Sequence, residues 1–173
     1  MKAHRKILFS KEDILLQPLQ QALTRLNHRA IVLWTLEAGQ KSMKAFSSPV
    51  SQDPRPQDAL DSARAWAEGR IKMPLARQAI LSCHRMAREV PSLADQALCH
   101  AIGQAASAVH TPGHAMGYPT YALTAQVLKL GLEDCQAELE QQTDDLLAQL
   151  LYWAGNEPQY PGPWSFFLRR EIG

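Results

Sequence analysis

Apolar residues recur every three or four positions in seven successive segments of the 173-residue chain, and proline, glycine or a capping residue separates these segments. This spacing places the apolar side chains of a segment on one face of an α-helix, whereas a half-buried strand would need strict alternation. Composition agrees, because 24 Ala and 23 Leu favour helices and only 18 residues are β-branched. The sequence therefore predicts an all-α protein of about seven helices, packed as a bundle or a short superhelical array.

Local start and stop signals set the expected helix boundaries. Asn27 and Ser92 are N-cap candidates, and Gly69 is suited to a helix end. Pro18 predicts a kink or a late start in the first helix, and Pro119 predicts a kink in the sixth. The expected helices run over Ser10–Leu26, Asn27–Phe46, Pro56–Gly69, Pro74–Val90, Ser92–Val109, Thr111–Gly131 and Leu132–Trp153.

The length predicts one domain over residues 1–173, with a helical core in 1–153 and a tail in 154–173. The fifth segment is rich in alanine and glycine, which let neighbouring backbones approach, so we place it at the centre. The tail combines prolines with Trp164, Phe166 and Phe167, which would leave a large apolar patch if free in water. We therefore expect the tail to pack on the helices, or on a second copy of the chain in a homodimer.

Charge and cysteine content limit the kinds of partner and the cellular compartment that can be expected. The net charge of +1, from 18 basic and 17 acidic residues, provides no field to hold a polyanion, so nucleic acid is not an expected partner. No stretch approaches the ~18 consecutive apolar residues of a membrane span. Three cysteines without CxxC spacing do not form a disulfide framework. These features predict a cytoplasmic protein that contacts no membrane.

Two histidines at HxxxH spacing, His110 and His114, are the densest chemical signal. On a continuous helix two such imidazoles can share a metal ion with a third ligand, such as His84 or Cys99. A proline and a glycine lie between them, so the stretch is typical of a helix junction, where that geometry is lost. The sequence favours histidines that are hydrogen-bonded at a helix turn and predicts no cofactor. A metal site formed by His84, His110 and His114, and a partner-facing surface, stay open as alternatives.

Arg77, His84 and Arg88 form a polar stripe on one face of the fourth predicted helix. Charged donors are costly to bury without partners. We therefore expect Arg88, His84 and the His110–His114 junction to form one partly buried hydrogen-bond network that joins the fourth, fifth and sixth helices.

The remaining reactive residue types favour structure over catalysis. Cys83 lies on an apolar helix face, which predicts a buried, inert thiol, and Trp66 is expected in the core. Asp61 and Arg64, three residues apart, predict a weak surface ion pair. The sequence contains neither a GxSxG elbow nor a phosphate-binding glycine loop. It therefore predicts a protein that is not an enzyme.

Seven short motifs follow one another between residues 53 and 122. They are Asp53-x-Arg55-Pro56, Ala63-Arg64-Ala65-Trp66-Ala67-x-Gly69-x-Ile71, Ala76-Arg77-x-Ala79, His84-x-x-Ala87-Arg88-Glu89, Ala101-x-Gly103-Gln104-Ala105, His110-x-x-Gly113-His114-Ala115-x-Gly117 and Tyr121-Ala122. In this order, and over about Asn27 to Gly131, they resemble the Imm-five-like immunity proteins of bacterial polymorphic-toxin and contact-dependent competition systems.

The resemblance implies an all-helical protein that neutralises a cognate toxin by binding, without catalysis. We expect the contact surface to include exposed polar residues near helix ends, such as Arg55, Asp61 and Arg64. The alternatives are a metal-binding protein or enzyme and a structural helical protein. The candidate functional or family-motif residues are Arg55, Asp61, Arg64, Trp66, Arg77, His84, Arg88, His110, His114 and Tyr121.

Overall fold

The computed structural model describes residues 7–131, 133 and 135–170, and these contain α-helices and short 3-10 turns without a strand. The all-α prediction is therefore confirmed. The eighth helix is a single turn in the tail, additional to the seven expected. The α-helices are α1 Gln17–Leu23, α2 His28–Ser42, α3 Arg55–Ala67, α4 Met73–Met86, α5 Leu93–Ser107, α6 Gly117–Leu130, α7 Gln136–Asn156 and α8 Phe166–Arg169.

The predicted helix caps are present. The side-chain oxygen of Asn27 accepts a hydrogen bond from the Ala30 N–H at 2.9 Å and begins α2. The Ser92 hydroxyl accepts one from the Asp95 N–H at 3.3 Å and begins α5. Gly69 follows α3 with a φ of +78°, a conformation that is easy only for glycine. These local signals are confirmed.

Two prolines lie in the first turns of their helices and affect where those helices begin. Helix α1 begins at Gln17 with Pro18 in its first turn, so the predicted late start is confirmed. The sixth predicted helix is split, because Pro112–Met116 forms a 3-10 turn and α6 begins only at Gly117. Pro119 therefore lies in the first turn of α6, where its missing N–H costs no helical hydrogen bond. A change from 3-10 to α-helix replaces the expected kink.

Helix α5 lies at the centre of the fold and packs against α2, α3, α4 and α6. Ala101, Ile102, Ala105 and Ala106 on this helix are fully buried. The small side chains of the three alanines allow the neighbouring helices to approach closely. The central position predicted for this segment is confirmed.

Two apolar clusters share α5 and α2. The first surrounds Trp66 and draws mainly on α3, α4 and α5. The second surrounds Trp34, which is fully buried and whose indole N–H donates to the Leu146 carbonyl at 3.1 Å. The second cluster joins α1, α2, α6 and α7, so helices from both halves of the chain depend on the central helix.

The segment after α7 lies against the C-terminal end of α3. The Ser165 N–H donates to the Ala67 carbonyl at 2.7 Å, and Leu168 is fully buried in the first cluster. The Phe167 ring packs on Trp66 with 5.3 Å between ring centroids. Burial of Leu168 and Phe167 shields this end of the cluster from water.

A buried ion pair joins the end of α7 to the start of α2. Glu157 is 3% exposed, and its carboxylate contacts the Arg29 Nε at 2.6 Å and accepts from the Asn27 side-chain amide at 2.9 Å. Carboxylates are rarely buried without such partners. The pair therefore fixes α2 relative to α7.

In the described part of the chain, no helix has the length and apolar character needed to span a membrane.

Candidate functional site

Two histidines meet where α4 packs on α5. The Nδ1 atoms of His84 and His100 are 2.9 Å apart, so one ring donates its N–H and the other accepts. The ring of Tyr121, from α6, packs on His100 with 5.1 Å between centroids. Three helices thus contribute rings to one half-buried cluster.

Two glycines make this cluster possible. A Cβ atom on Gly103 would lie 2.4 Å from the Nε2 of His84, and its three nearest neighbours would all be atoms of that ring. A Cβ on Gly117 would lie 2.6 Å from the Oε1 of Gln104. The imidazole and the amide therefore lie directly on glycine backbone, where any other residue would displace them.

His114 extends the cluster from the 3-10 turn before α6. Its Nδ1 lies 2.9 Å from the Gln104 Oε1, which accepts the ring proton. Because Gln104 in turn packs on Gly117, the turn and α6 are held to α5 by the same side chain. His114 is exposed, so water reaches this end of the cluster.

The imidazole of His84 is uncharged at neutral pH. Burial, with smaller contributions from charge on His100 and His114, lowers the pKa of His84 to about 4. Burial also raises the pKa of the Tyr121 hydroxyl. His84 therefore acts as a neutral hydrogen-bonding group that joins two helices.

The predicted single network of His84, Arg88, His110 and His114 is wrong. Arg88 lies beyond Met86, where α4 ends; it is exposed, and no hydrogen bond or ion pair joins it to these histidines among the described residues. The His110 ring stacks on Trp66 at 5.5 Å between centroids. Because Pro112–Met116 is a 3-10 turn, the four-residue spacing does not place His110 and His114 on one helix face.

His84, His110 and His114 do not converge on one point. Each has a different neighbour, respectively His100, Trp66 and Gln104. Residues 7–131, 133 and 135–170 contain no group of three or more His, Cys, Asp or Glu side chains placed to hold a metal ion. The ligand set considered from sequence is therefore not assembled here.

The cysteines near the cluster are shielded thiols. Cys83 is fully buried, as predicted, and its Sγ donates to the Cys99 carbonyl at 3.3 Å. Burial raises the pKa of both thiols, that of Cys99 to about 12. Since the thiolate is the nucleophilic form, these side chains are unreactive at neutral pH.

Arg55 is a clamp between two parts of the chain. Its Nη2 lies 2.8 Å from the Asp53 Oδ2 and 2.7 Å from the Glu89 Oε2, which joins the start of α3 to the residues after α4. The guanidinium lowers the pKa of both carboxyl groups, and its own pKa is raised, first by its hydrogen bond to Asp53. Arg55 lies at a helix end, as expected. Its charge reversal would bring three carboxylates together and so report on stability rather than on contact with a partner.

The other candidates from α3 and α4 occupy different environments. Trp66 is 8% exposed and lies in the first cluster, as predicted. Asp61 is exposed and accepts from the Gln57 side-chain amide at 2.9 Å, and no ion pair joins it to Arg64 in the described part of the chain. Arg64 is half-buried and Arg77 is exposed.

The histidine pair lies in the wall of a groove of about 600 Å³ that α4, α5, α6 and the segment before α1 enclose. Sequence reasoning did not select His100 as a functional candidate, although it shares a predicted helix face with Gln104. The groove combines residues more than 100 positions apart, Leu8 and Leu128 among them, so no local pattern could have revealed it.

A family model described as "Imm-5 like putative immunity protein" matches residues 21–149, which is 129 of the 173 residues. The matched range begins within α1, ends within α7 and contains the whole histidine cluster. No curated protein and no solved structure matches the chain.

Proposed function

Because this chain belongs to the Imm-5 like putative immunity protein family, we propose that it neutralises a cognate protein toxin in the cytoplasm by binding to it, without catalysing a reaction. The family match over residues 21–149 is the observation that carries the proposal. The matched range includes the central helix α5 and the α4 and α6 surfaces that flank it.

The architecture supports a binding function. Binding is strongest when the contact surface is ordered beforehand, because the partner then does not have to order it. Here the Arg55 clamp and the His84–His100 pair hold consecutive helices in fixed positions, and the Glu157–Arg29 ion pair joins α2 to the distant α7. We propose that the tail also stabilises this arrangement, because Leu168 is fully buried.

Cysteine and histidine side chains often take part in catalysis, but Cys83 and His84 make structural contacts in this protein. The Cys83 thiol is buried with a raised pKa, and His84 is neutral and hydrogen-bonded to another histidine. An immunity protein of the proposed kind needs complementary surface rather than a reactive group. The exposed Asp61 and the half-buried Arg64 stay candidates for that surface, as the sequence suggested.

The test is co-expression with candidate toxin genes, beginning with any toxin-like gene found beside the gene for this protein. We expect cells to survive the toxin only when this protein is present, and a complex of the two chains to be isolated. Protection should saturate at about one chain per toxin molecule, because a binder is consumed in stoichiometric amounts. Protection at far lower ratios would indicate turnover. Equal killing with and without this protein, together with the absence of a complex, would refute the proposal.

A further inference from the structure

Four exposed leucines surround the groove between α4, α5 and α6. They are Leu8, Leu81, Leu93 and Leu128, and they expose 37% to 53% of their surface. These four are among eleven large apolar side chains that are exposed in the described part of the chain, so the groove concentrates them. By contrast, a groove of about 680 Å³ beside α2, α6 and α7 includes only Tyr152 from that set. A concentration of exposed apolar side chains is typical of an interaction site.

The charged side chains of this groove are basic. Arg85 and Arg88 are exposed and line it beside His84, and no Asp or Glu lines it among the described residues. Glu89, the carboxylate that follows Arg88, is bound by Arg55 at 2.7 Å, which lowers the pKa of its carboxyl group, and the nearby charge of Arg85 lowers that pKa further. Arg85 thus has one carboxylate near it, outside the lining of the groove. The groove therefore presents two arginines next to apolar surface.

We infer that this groove docks the toxin, and that the docked segment of the toxin combines acidic side chains with apolar ones. The apolar side chains bury against the leucines, and the carboxylates pair with Arg85 and Arg88. Charged contacts at a rim raise the association rate and select the partner, while buried apolar anchors supply most of the affinity. The inference rests on the proposed function, because that function makes the partner a toxin.

Charge argues against two other occupants. A second copy of the chain, related by a two-fold axis, would bring the same arginines against Arg85 and Arg88. Residues 1–6 include Lys2, Arg5 and Lys6 but no carboxylate. Neither supplies the negative charge that the groove lacks.

The test measures binding of the full chain to the toxin that the co-expression experiment identifies. The Arg85→Glu/Arg88→Glu variant should lower the association rate at least ~10-fold in low salt, and the difference should shrink near 1 M salt, where charges are screened within about 3 Å. The Leu93→Ala/Leu128→Ala variant should weaken Kd at least ~10-fold through faster dissociation, with little salt dependence. Circular dichroism and a melting curve establish that each variant is folded.

The matched control is Arg25→Glu/Arg77→Glu, which changes the net charge equally at two exposed arginines outside the groove. It should bind like the wild type. If the control loses binding while the groove variants keep it, the docking surface lies outside the groove and the inference is overturned. Unchanged binding by both groove variants also overturns it, as does a wild-type dimer that the leucine substitutions dissociate. If the wild-type chain neither binds nor protects, the proposed function itself fails.

Discussion

Gly103 offers the sharpest test of the histidine cluster, because its substitution has opposite effects depending on one neighbour. In Gly103→Ala the new Cβ would lie 2.4 Å, 2.5 Å and 2.8 Å from three atoms of the His84 ring. Real Cβ contacts are not that short, so the ring must move. Moving it breaks the 2.9 Å hydrogen bond to His100 and disturbs the packing of α4 on α5.

The expected magnitude is the balance of two known effects. Adding a methyl group to a packed interior typically costs about 1–3 kcal/mol. Replacing glycine by alanine within a helix returns about 1 kcal/mol of helix propensity. We therefore expect the free energy of unfolding to fall, by up to about 2 kcal/mol. For a chain of this size each 1 kcal/mol lowers Tm by about 2–4 °C.

A double-mutant cycle isolates the contact. In the His84→Ala background the clashing ring is gone, so Gly103→Ala should raise the free energy of unfolding by up to about 1 kcal/mol. The sign of the effect therefore reverses, with a coupling of about 1–3 kcal/mol that equals the overpacking cost and exceeds the ~0.5 kcal/mol scatter of independent sites. Urea denaturation followed by circular dichroism measures all four proteins. The same sign in both backgrounds would refute the ring-on-glycine packing.

Three further perturbations test other parts of the structure. Because the pKa of His84 is about 4 in the folded chain and 6.5 ordinarily, the unfolded state takes up its proton first as pH falls. The stability that this histidine contributes is complete above pH 6.5. Between pH 7.5 and 5 the free energy of unfolding should fall by about 1–2 kcal/mol after allowance for solvent screening. His84→Gln should reduce that fall, and an equal fall in the variant would contradict the assignment. Leu168→Ala should lower the free energy of unfolding by about 2–4 kcal/mol in a urea titration, because this side chain is fully buried. Phe166→Ala, at a residue that is 60% exposed, should lower it by less than ~0.5 kcal/mol. Equal losses would show that the tail does not contribute to the core. Glu157→Ala should cost about 1–3 kcal/mol, because it removes the buried carboxylate that binds the 17% exposed Arg29 side chain. Adding Arg29→Met should recover part of that loss in thermal unfolding, and a double variant no more stable than the single one would rule out the ion pair as the cause.

Features set by local chemistry were accessible from the sequence. Asn27 and Ser92 cap helices because a side-chain oxygen within three residues satisfies a free backbone N–H, and that requirement is visible in the residue order. Gly69 was predictable because a helix end often needs a positive φ. The central place of α5 followed from its small side chains, since only such a surface lets several helices approach.

The histidine cluster was only partly accessible, because it depends on how helices are placed against one another. The sequence put His84 on a polar helix face, but its pairing with His100 requires the ring of one helix to lie on Gly103 of the next. The HxxxH spacing misled the prediction for the opposite reason. Its four-residue period holds only in an α-helix, and Pro112 begins a 3-10 turn that directs His110 to Trp66 and His114 to Gln104.

The residues that the ordered motifs single out lie mostly inside the scaffold, and the proposed contact residues lie mostly outside those motifs. Arg55 closes the clamp, and Trp66 stacks with His110 while it anchors the first cluster. Of the groove residues proposed to meet the toxin, only Arg88 belongs to a motif; Arg85 and the four exposed leucines do not. This division is physically reasonable, because a shared fold requires the same internal contacts in each member, whereas recognition of a particular toxin depends on the side chains that project from it. Motifs of this kind therefore identify the fold and the family, and the identity of the partner has to be sought in the exposed residues of the groove.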